Sequence, residues 1–449
     1  MFEKTSERLM HRVRWFLTIG WLLLIFSLFY DPVSPWLTDP NSTWSPLRVD
    51  PMQCDQIQGH CYWDVAYPVG VRLFWALIVP SSIFILLTFG HELWRRICPL
   101  SFLSQLPAAL GIQRHVRRVE PTSRRLRREI PKISKNSWLG RNHVYFQFTL
   151  LYLGLCLRLL LINADRLALA LFLLLTIACA ITVGYCFGGK TWCHYFCPMA
   201  PVQLIFAEPG GLLTSKAHQS ARSLTQSMCR TIKPDGTEKS ACVACISPCL
   251  DIDTERNYWE KVTRHDRKLI HYAYIGLVLG FYFYFYLYAG NWDYYFSGDW
   301  THRDQLAALG HPGFYIFDQP IPIHRLVAVP LTLGVFSAFT YFLGMWLEKA
   351  YKAYLFRTQQ YRGPEQLQHQ IFTVCTYIAF NLFFSFGGRP TVILFPPVVQ
   401  YVYDGLLILV SSLWFHKTWK KSYEQYKREA SMVRQLKQLG SSKTPHSVR

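Results

Sequence analysis

Leu167-Ala-Leu-Ala-Leu-Phe-Leu-Leu-Leu-Thr-Ile-Ala-Cys-Ala-Ile-Thr-Val-Gly-Tyr-Cys-Phe187 carries no charge over its whole length and runs directly into Gly188-Gly-Lys-Thr-Trp-Cys193-His-Tyr-Phe-Cys197-Pro198. A helix needs about 20 apolar residues to cross the hydrocarbon core. The first half of this stretch therefore predicts a membrane span, and the second half places two cysteines at its end. Runs of the same kind recur on both sides. They are Trp15–Tyr30, Val69–Phe89, Val144–Ile162, Leu269–Ala289, Leu326–Leu347, Ile371–Phe386 and Thr391–Phe415. With the first run they make eight spans. The expected fold class is an all-α polytopic membrane protein with a small cysteine-bearing insert. The composition agrees: of 449 residues 51% are hydrophobic and 16% aromatic, and soluble domains seldom combine that with several long charge-free runs.

The formal net charge is +19. Nucleic acid is not the implied partner, because most Lys and Arg flank apolar runs, where charge sets membrane orientation. The N-terminus, the 95–143 loop, the 188–268 segment, the 348–370 connection and the tail hold nearly all the cations, whereas the other loops hold one Arg each (Arg48, Arg166, Arg303, Arg389). The cation-rich side is the cytoplasmic one. Both termini are then expected in the cytoplasm of a bacterial-type inner membrane. Met1–Arg14 is charged, but the run behind it lacks a small-residue cleavage pattern, so it reads as a first span and not as a signal peptide. The chain divides into spans one to four with a basic loop (1–187), a cytoplasmic cysteine-rich module (188–268), spans five to eight (269–415) and a basic tail (416–449).

Of thirteen cysteines, Cys98, Cys186, Cys193, Cys197, Cys229, Cys242, Cys245 and Cys249 fall at or beyond the cytoplasmic ends of spans. Thiols stay reduced there and are available to metals. Cys242-Val-Ala-Cys245-Ile-Ser-Pro-Cys249 has the spacing of the last three ligands in the ferredoxin run C-x2-C-x2-C-x3-C-P. The first ligand position falls on Lys239, and Cys229, reached through the turn Lys233-Pro-Asp-Gly236, is the nearest replacement. A [4Fe–4S] cluster on Cys229, Cys242, Cys245 and Cys249 is the expectation; a zinc knuckle and unligated thiols are the alternatives. Eight thiols suffice for a second cluster. Spans two and four each end in a Cys-Pro, so Cys98 can meet Cys193 and Cys197 at the membrane edge, with Cys186 or a borrowed Cys249 as fourth ligand. Cys54 and Cys61, in the first outer loop, are placed for a disulfide. Cys156, Cys179 and Cys375 lie inside apolar runs and read as packing residues.

With these motifs the chain resembles the NapH/NosR/CcoG group of membrane-bound iron–sulfur proteins, which carry paired C-x3-C-P helix ends followed by a ferredoxin-type cysteine run. Cys193-His-Tyr-Phe-Cys197-Pro198 matches fully. In the earlier copy Trp94 stands where the first cysteine would be, leaving Cys98-Pro99, and Leu250 stands where a proline usually follows the run. The resemblance covers residues 70–260. It implies membrane electron transfer between a cytoplasmic donor or quinol and a membrane or periplasmic redox partner. The partner would be a ferredoxin- or flavodoxin-like donor or a respiratory metalloenzyme, and the chain itself a quinol dehydrogenase or oxidoreductase component. A metal-centre assembly factor and a structural subunit docking through aromatic outer loops are the other classes.

Gly184-Tyr-Cys-Phe-Gly-Gly189-Lys190-Thr191 fits the phosphate-loop pattern formally, but a span precedes it where that loop needs a strand, so nucleotide binding is set aside. Lys190 is expected at the membrane surface. Haem b is a competing cofactor, since His91, His143, His271 and His324 lie near span ends; interfacial polar roles are the simpler account. Asp404, placed near the middle of span eight, is the candidate for proton transfer at a quinone site, against a plain hydrogen bond to a neighbouring helix. Arg158 is expected to snorkel, and Phe281-Tyr-Phe-Tyr-Phe-Tyr286 to form an outer aromatic belt. The basic segment Arg114–Arg128 is a surface for an acidic electron donor or for anionic lipid.

The charge asymmetry predicts that reporter fusions after Arg128, after Lys239 and at the C-terminus read cytoplasmic, and that fusions near Asp50 and Asp304 read external. A cytoplasmic signal at Asp304 would overturn the orientation.

Overall fold

The computed structural model describes residues 5–119, 126–214, 216, 229–360 and 362–441. Parts of the basic loop, the cysteine segment and the tail (120–125, 217–228 and 442–449) lie outside the described residues. Eight helices are long and apolar enough to cross a membrane: α1 (Glu7–Phe29), α2 (Val69–Leu103), α3 (Trp138–Ile162), α4 (Arg166–Cys186), α5 (His265–Ala289), α6 (Arg325–Arg357), α7 (Pro364–Phe386) and α8 (Pro397–Trp419). Among the described residues, β-structure is confined to four two-stranded hairpins. One of these, Cys54–Ile57 with His60–Trp63, carries a Cys54–Cys61 disulfide.

Most spans differ in extent from the apolar runs; α2, for one, continues past Phe89 to Leu103. Hydropathy reports only the apolar part of a helix, whereas capping and proline set its ends. α6 continues past Leu347 to Arg357, and α7 begins at Pro364, a proline at the first helical position. α8 begins at Pro397 instead of Thr391, because the Pro396-Pro397 pair cannot continue the preceding turn Arg389–Val392. Asp404 is therefore in the early turns of α8 and not at mid-span.

α5 is the hub. Of its apolar window 72% is buried, against 22–50% for the other spans. It packs on α6, α7 and α3. Phe281, Tyr282, Tyr284 and Phe285 are buried in the bundle, which corrects the expectation of an outer belt. A period-two aromatic run spreads over several faces of a helix: four of its rings enter the bundle, while Phe283 is partly buried and Tyr286 is exposed. Arg158 does not snorkel either. Its guanidinium is buried over the rings of Trp75 and Phe281, at 4.1 and 4.6 Å, and its Nε donates to Asn163 Oδ1 at 2.8 Å. The aromatic faces and the amide give the cation a partner inside the protein, so it need not reach water.

After Cys197-Pro198 the chain folds back into the bundle as a short helix, Ala200–Phe206, every residue of which is buried. The irregular backbone that follows is tied to the spans: Leu212 N–H donates to Leu87 O at 3.0 Å and Trp414 Nε1 to Gly210 O at 3.0 Å. Gly184 sets the fit between α4 and the turn after α2, since a Cβ there would overlap the Ser104 carbonyl.

Gly184→Ala is expected to lower stability by about 1–3 kcal/mol, the usual cost of overpacking. Gly20→Ala, on an α1 face where a Cβ meets nothing within 4 Å, should be near neutral. Thermal unfolding of the two variants in detergent compares them; equal melting temperatures would refute the tight contact.

Candidate metal centre

Two breaks in helix geometry deliver thiols to one end of the bundle. α2 bends at Cys98, whose φ/ψ of −57/116° is non-helical, and Pro99 starts a new turn. The backbone N–H groups of Leu100 and Ser101 point at the Cys98 sulfur. Past α4, Trp192–Phe196 forms a π-helical turn closed by Cys197 N–H to Trp192 O at 2.9 Å. Cys197 leaves it with φ/ψ of −61/121°, and the Met199 N–H points at its sulfur. The Cys-Pro echo in the sequence is thus a repeated device. Proline ends one helix and opens another, and the first amides of the new turn face the thiol, where they would stabilise a thiolate. Cys98, Cys193 and Cys197 lie within electrostatic range of one another. Cys193 and Cys197 are buried among Trp192, Phe196, Leu100 and Met199.

The second set is built on the hairpin Arg230–Ile232 with Glu238–Ser240. It returns the chain so that Ala241 N–H donates to Cys229 O at 2.9 Å. Cys245 is in electrostatic range of Cys229 and Cys242, and Cys249 of Cys245. Amide N–H groups of Lys190 and Asp251 point at the sulfurs of Cys245 and Cys249. Gly189, at φ +68°, forms the wall: a Cβ there would stand 3.2 Å from Cys245 Sγ and 2.7 Å from Val243. Burial raises the Cys245 thiol to about 12 and raises Cys249 as well. Four bare thiolates would not share such a pocket without positive charge, and metal binding is what normally displaces those protons. The donor set, the amides aimed at sulfur and the glycine wall all fit an iron–sulfur cluster.

Between the two sets lies a buried charge network that the sequence did not disclose. Asp251 Oδ2 is 3.1 Å from Arg95 Nη1 and 3.1 Å from His194 Nε2, and its Oδ1 is 3.8 Å from Lys190 Nζ. All four side chains are at most 3% exposed. Burial alone would raise the Asp251 carboxyl, but Arg95, Lys190 and His194 outweigh it and hold it well below the usual range. Burial keeps His194 neutral, lowered to about 4 against the pull of Asp251. Arg95 is also in electrostatic range of Cys193, Cys197 and Cys249. His194, Cys249 and Asp251 place ligand atoms within 4.8 Å of one another. Lys190 is not at the surface as expected: it is fully buried and donates to the Arg95 carbonyl at 3.0 Å. The available signals were Arg95 three residues before Cys98, His194 beside Cys193, and Asp251 two residues after Cys249.

The other candidates lie elsewhere. Cys186 is half-buried at the last residue of α4, and no described contact joins it to Cys98, Cys193 and Cys197. His91 is buried beside the Arg95–Asp251 network, His143 packs on Tyr195, His271 stacks on Phe372 and His324 precedes α6. Each of the four has its own setting. Asp404 is partly exposed near the start of α8 and is ion-paired with Arg389, whose Nη1 lies 3.2 Å from its Oδ2.

Comparison with protein families, curated proteins and solved structures finds no match to the chain.

Asp251→Asn would leave two buried cations facing each other. It is expected to destabilise the protein by about 3–5 kcal/mol, the cost of stripping one partner from a buried ion pair. Denaturant unfolding measures this; a loss below about 1 kcal/mol would show that the cations are compensated elsewhere.

Proposed function

We propose that this chain is a membrane-bound iron–sulfur electron-transfer protein, carrying electrons between a cytoplasmic donor or quinol and a redox partner in or across the membrane. The observation that carries the proposal is the gathering of Cys98, Cys193, Cys197, Cys245 and Cys249 around one buried network, with Cys229 and Cys242 in range of Cys245. Cys229, Cys242, Cys245 and Cys249 would hold one [4Fe–4S] cluster. Cys98, Cys193 and Cys197 would contribute to a second, with Cys249 nearer to hand than Cys186. One-electron exchange is the chemistry such a cluster supplies when bound. The chain's part is to fix the thiols, to direct the amides of Lys190, Met199 and Asp251 at sulfur, and to keep Arg95 and Lys190 close by. Donors and positive charge around sulfur raise a cluster's potential. Trp192 and Phe196 keep water away from Cys193 and Cys197.

A docking face for an acidic donor adjoins this centre. The hairpin Val116–Val119 with Leu126–Glu129 exposes Arg117 and Arg128, and Arg114 is exposed just before it. The segment after the hairpin touches the glycine wall, where Gly188 N–H donates to Pro131 O at 3.1 Å. A ferredoxin- or flavodoxin-like partner held there would be close to Cys245. One observation favours the metal-handling alternative: Cys242 is exposed, as a thiol that hands a metal to another protein would need to be.

Anaerobically purified protein should be brown, with iron, acid-labile sulfide and a reducible EPR signal. Cys245→Ser should remove about four irons per chain, by the stoichiometry of this cluster type, and Cys98→Ser should diminish or shift a second signal. Unchanged iron in a stable Cys245→Ser protein would overturn the proposal. Copper bound in place of iron, and passed to a partner, would establish metal handling instead.

A further inference from the structure

At the end of the bundle away from the cysteines, the two long outer loops meet. Asp64 follows the strand His60–Trp63 of the first loop, and Asp299 and His302 bracket the turn Asp299–Thr301 between α5 and α6. Asp64, Asp299 and His302 each bring a ligand atom to one point, with all three atoms within 4.8 Å of one another. His302 Nε2 and Asp299 Oδ1 are 2.8 Å apart, with side chains only 6% and 1% exposed. The two are ion-paired, and neither atom makes a well-aligned hydrogen bond to any other group. A divalent cation would enter here by displacing the proton between them, with the Asp64 carboxylate as the third donor.

The surroundings hold that arrangement in place. The His302 ring stacks on Tyr67 at 4.1 Å and 7°, and its Nδ1 lies 3.4 Å from Thr301 Oγ1, which leaves Nε2 facing the carboxylates. Arg303 Nε donates to Asp299 Oδ2, so Oδ1 is the oxygen left for another partner. Arg303 Nη2 also donates to the carbonyls of Tyr62 and Trp63, at 3.2 and 3.3 Å, which fixes the strand end next to Asp64. Such outer contacts orient ligands in metal sites. Asp55 adds a third carboxylate, buried and in electrostatic range of the half-buried Asp64, and its Oδ2 has no hydrogen-bond partner. Arg72, the other nearby cation, is committed to the Tyr67 hydroxyl at 2.6 Å and to the Pro390 carbonyl. Three carboxylates thus gather against Arg303.

We propose that Asp64, Asp299 and His302 form a divalent-cation site that clasps the two outer loops together. One imidazole nitrogen with carboxylate oxygens suits Mn²⁺ or Zn²⁺. Ca²⁺ takes oxygen ligands alone, and Cu(I) selects sulfur. The site stands apart from the cysteine centre and does not depend on the electron-transfer proposal.

The test uses Mn²⁺, which thiols do not favour, on chelator-treated full-length protein in detergent. Titration followed by the EPR signal of free Mn²⁺ should show saturable binding that Zn²⁺ displaces, and echo-modulation spectra of the bound ion should show coupling to a histidine nitrogen. His302→Gln should abolish that coupling, and both His302→Gln and Asp64→Asn should weaken binding by at least about tenfold, since even loss of outer-shell partners costs metal sites 10–100-fold. His416→Gln, exposed near the end of α8, should change neither. Should His302→Gln fail to fold, the parent and the near-isosteric Asp64→Asn decide. Absence of saturable Mn²⁺ in the parent, bound Mn²⁺ without nitrogen coupling, or affinity equal in parent and Asp64→Asn would each overturn the site and leave a metal-free carboxylate–imidazole cluster in its place.

Discussion

A single carboxylate, Asp251, holds the cysteine end of this molecule together. Asp251, just past Cys249, takes its partners from two remote parts of the chain: Arg95 near the end of α2, and Lys190 and His194 after α4. Removing these groups from water is expensive, and only close geometry on every side makes the arrangement tolerable. Two cations against one carboxylate, with His194 neutral, leave one net positive charge in a buried space. That charge sits among Cys98, Cys193, Cys197, Cys245 and Cys249. An anionic set of thiolates is what would balance it, so the electrostatics of the network and the donor chemistry of the cysteines point the same way.

The helices outside the family resemblance have a physical task. The segment that re-enters the bundle after Cys197-Pro198 carries irregular backbone at 207–212, and inside a membrane such backbone survives only when its polar groups are met by protein. α5, α7 and α8 meet them. Thr376 Oγ1 donates to Ile205 O at 3.0 Å, Lys417 Nζ to Leu212 O at 2.8 Å and Lys421 Nζ to Pro209 O at 2.6 Å. Arg267, on α5, pairs with the buried Glu208 at 3.0 Å. The position of Cys193 and Cys197 thus depends on spans distant in sequence, because the chain leaving them is anchored by those spans.

How much of this was legible follows from the range of each interaction. The eight spans were legible because a charge-free run of about 20 residues has one stable fate in a bilayer. The Cys-Pro echo was legible because proline acts on its own neighbours. Lys190 and Arg158 were misplaced for the opposite reason. A lone cation beside an apolar run either reaches water or finds a buried partner, and the partners here, Asp251 for Lys190 and Phe281 for Arg158, lie 61 and 123 residues away along the chain. The position of Asp404 failed on a local signal that was present: Pro396-Pro397 marks a helix start and not a span interior. The burial of Phe281, Tyr282, Tyr284 and Phe285 was also open to inspection, since a period-two run sends rings to more than one helix face and so suits a packed helix at least as well as an interfacial belt.

Trp94 bears on how the two thiol sets relate. In the first Cys-Pro copy it occupies the place of a cysteine, and its carbonyl accepts the Cys98 N–H at 3.0 Å while its ring packs against the main core. The copy is a complete structural turn that supplies one thiol instead of two. On the iron–sulfur reading, Cys98, Cys193 and Cys197 then need a donor from another element. Cys249 is the thiol that faces their side: its Sγ is 4.0 Å from His194 Nε2, and Arg95 lies in electrostatic range of Cys249, Cys193 and Cys197 alike. Cys249 also remains in range of Cys245. The last cysteine of a ferredoxin-type run serves the other cluster in two-cluster ferredoxins. A chain with one thiol at its first Cys-Pro turn, and with Asp251 holding Cys249 beside His194, would on that reading couple its two sets through Cys249.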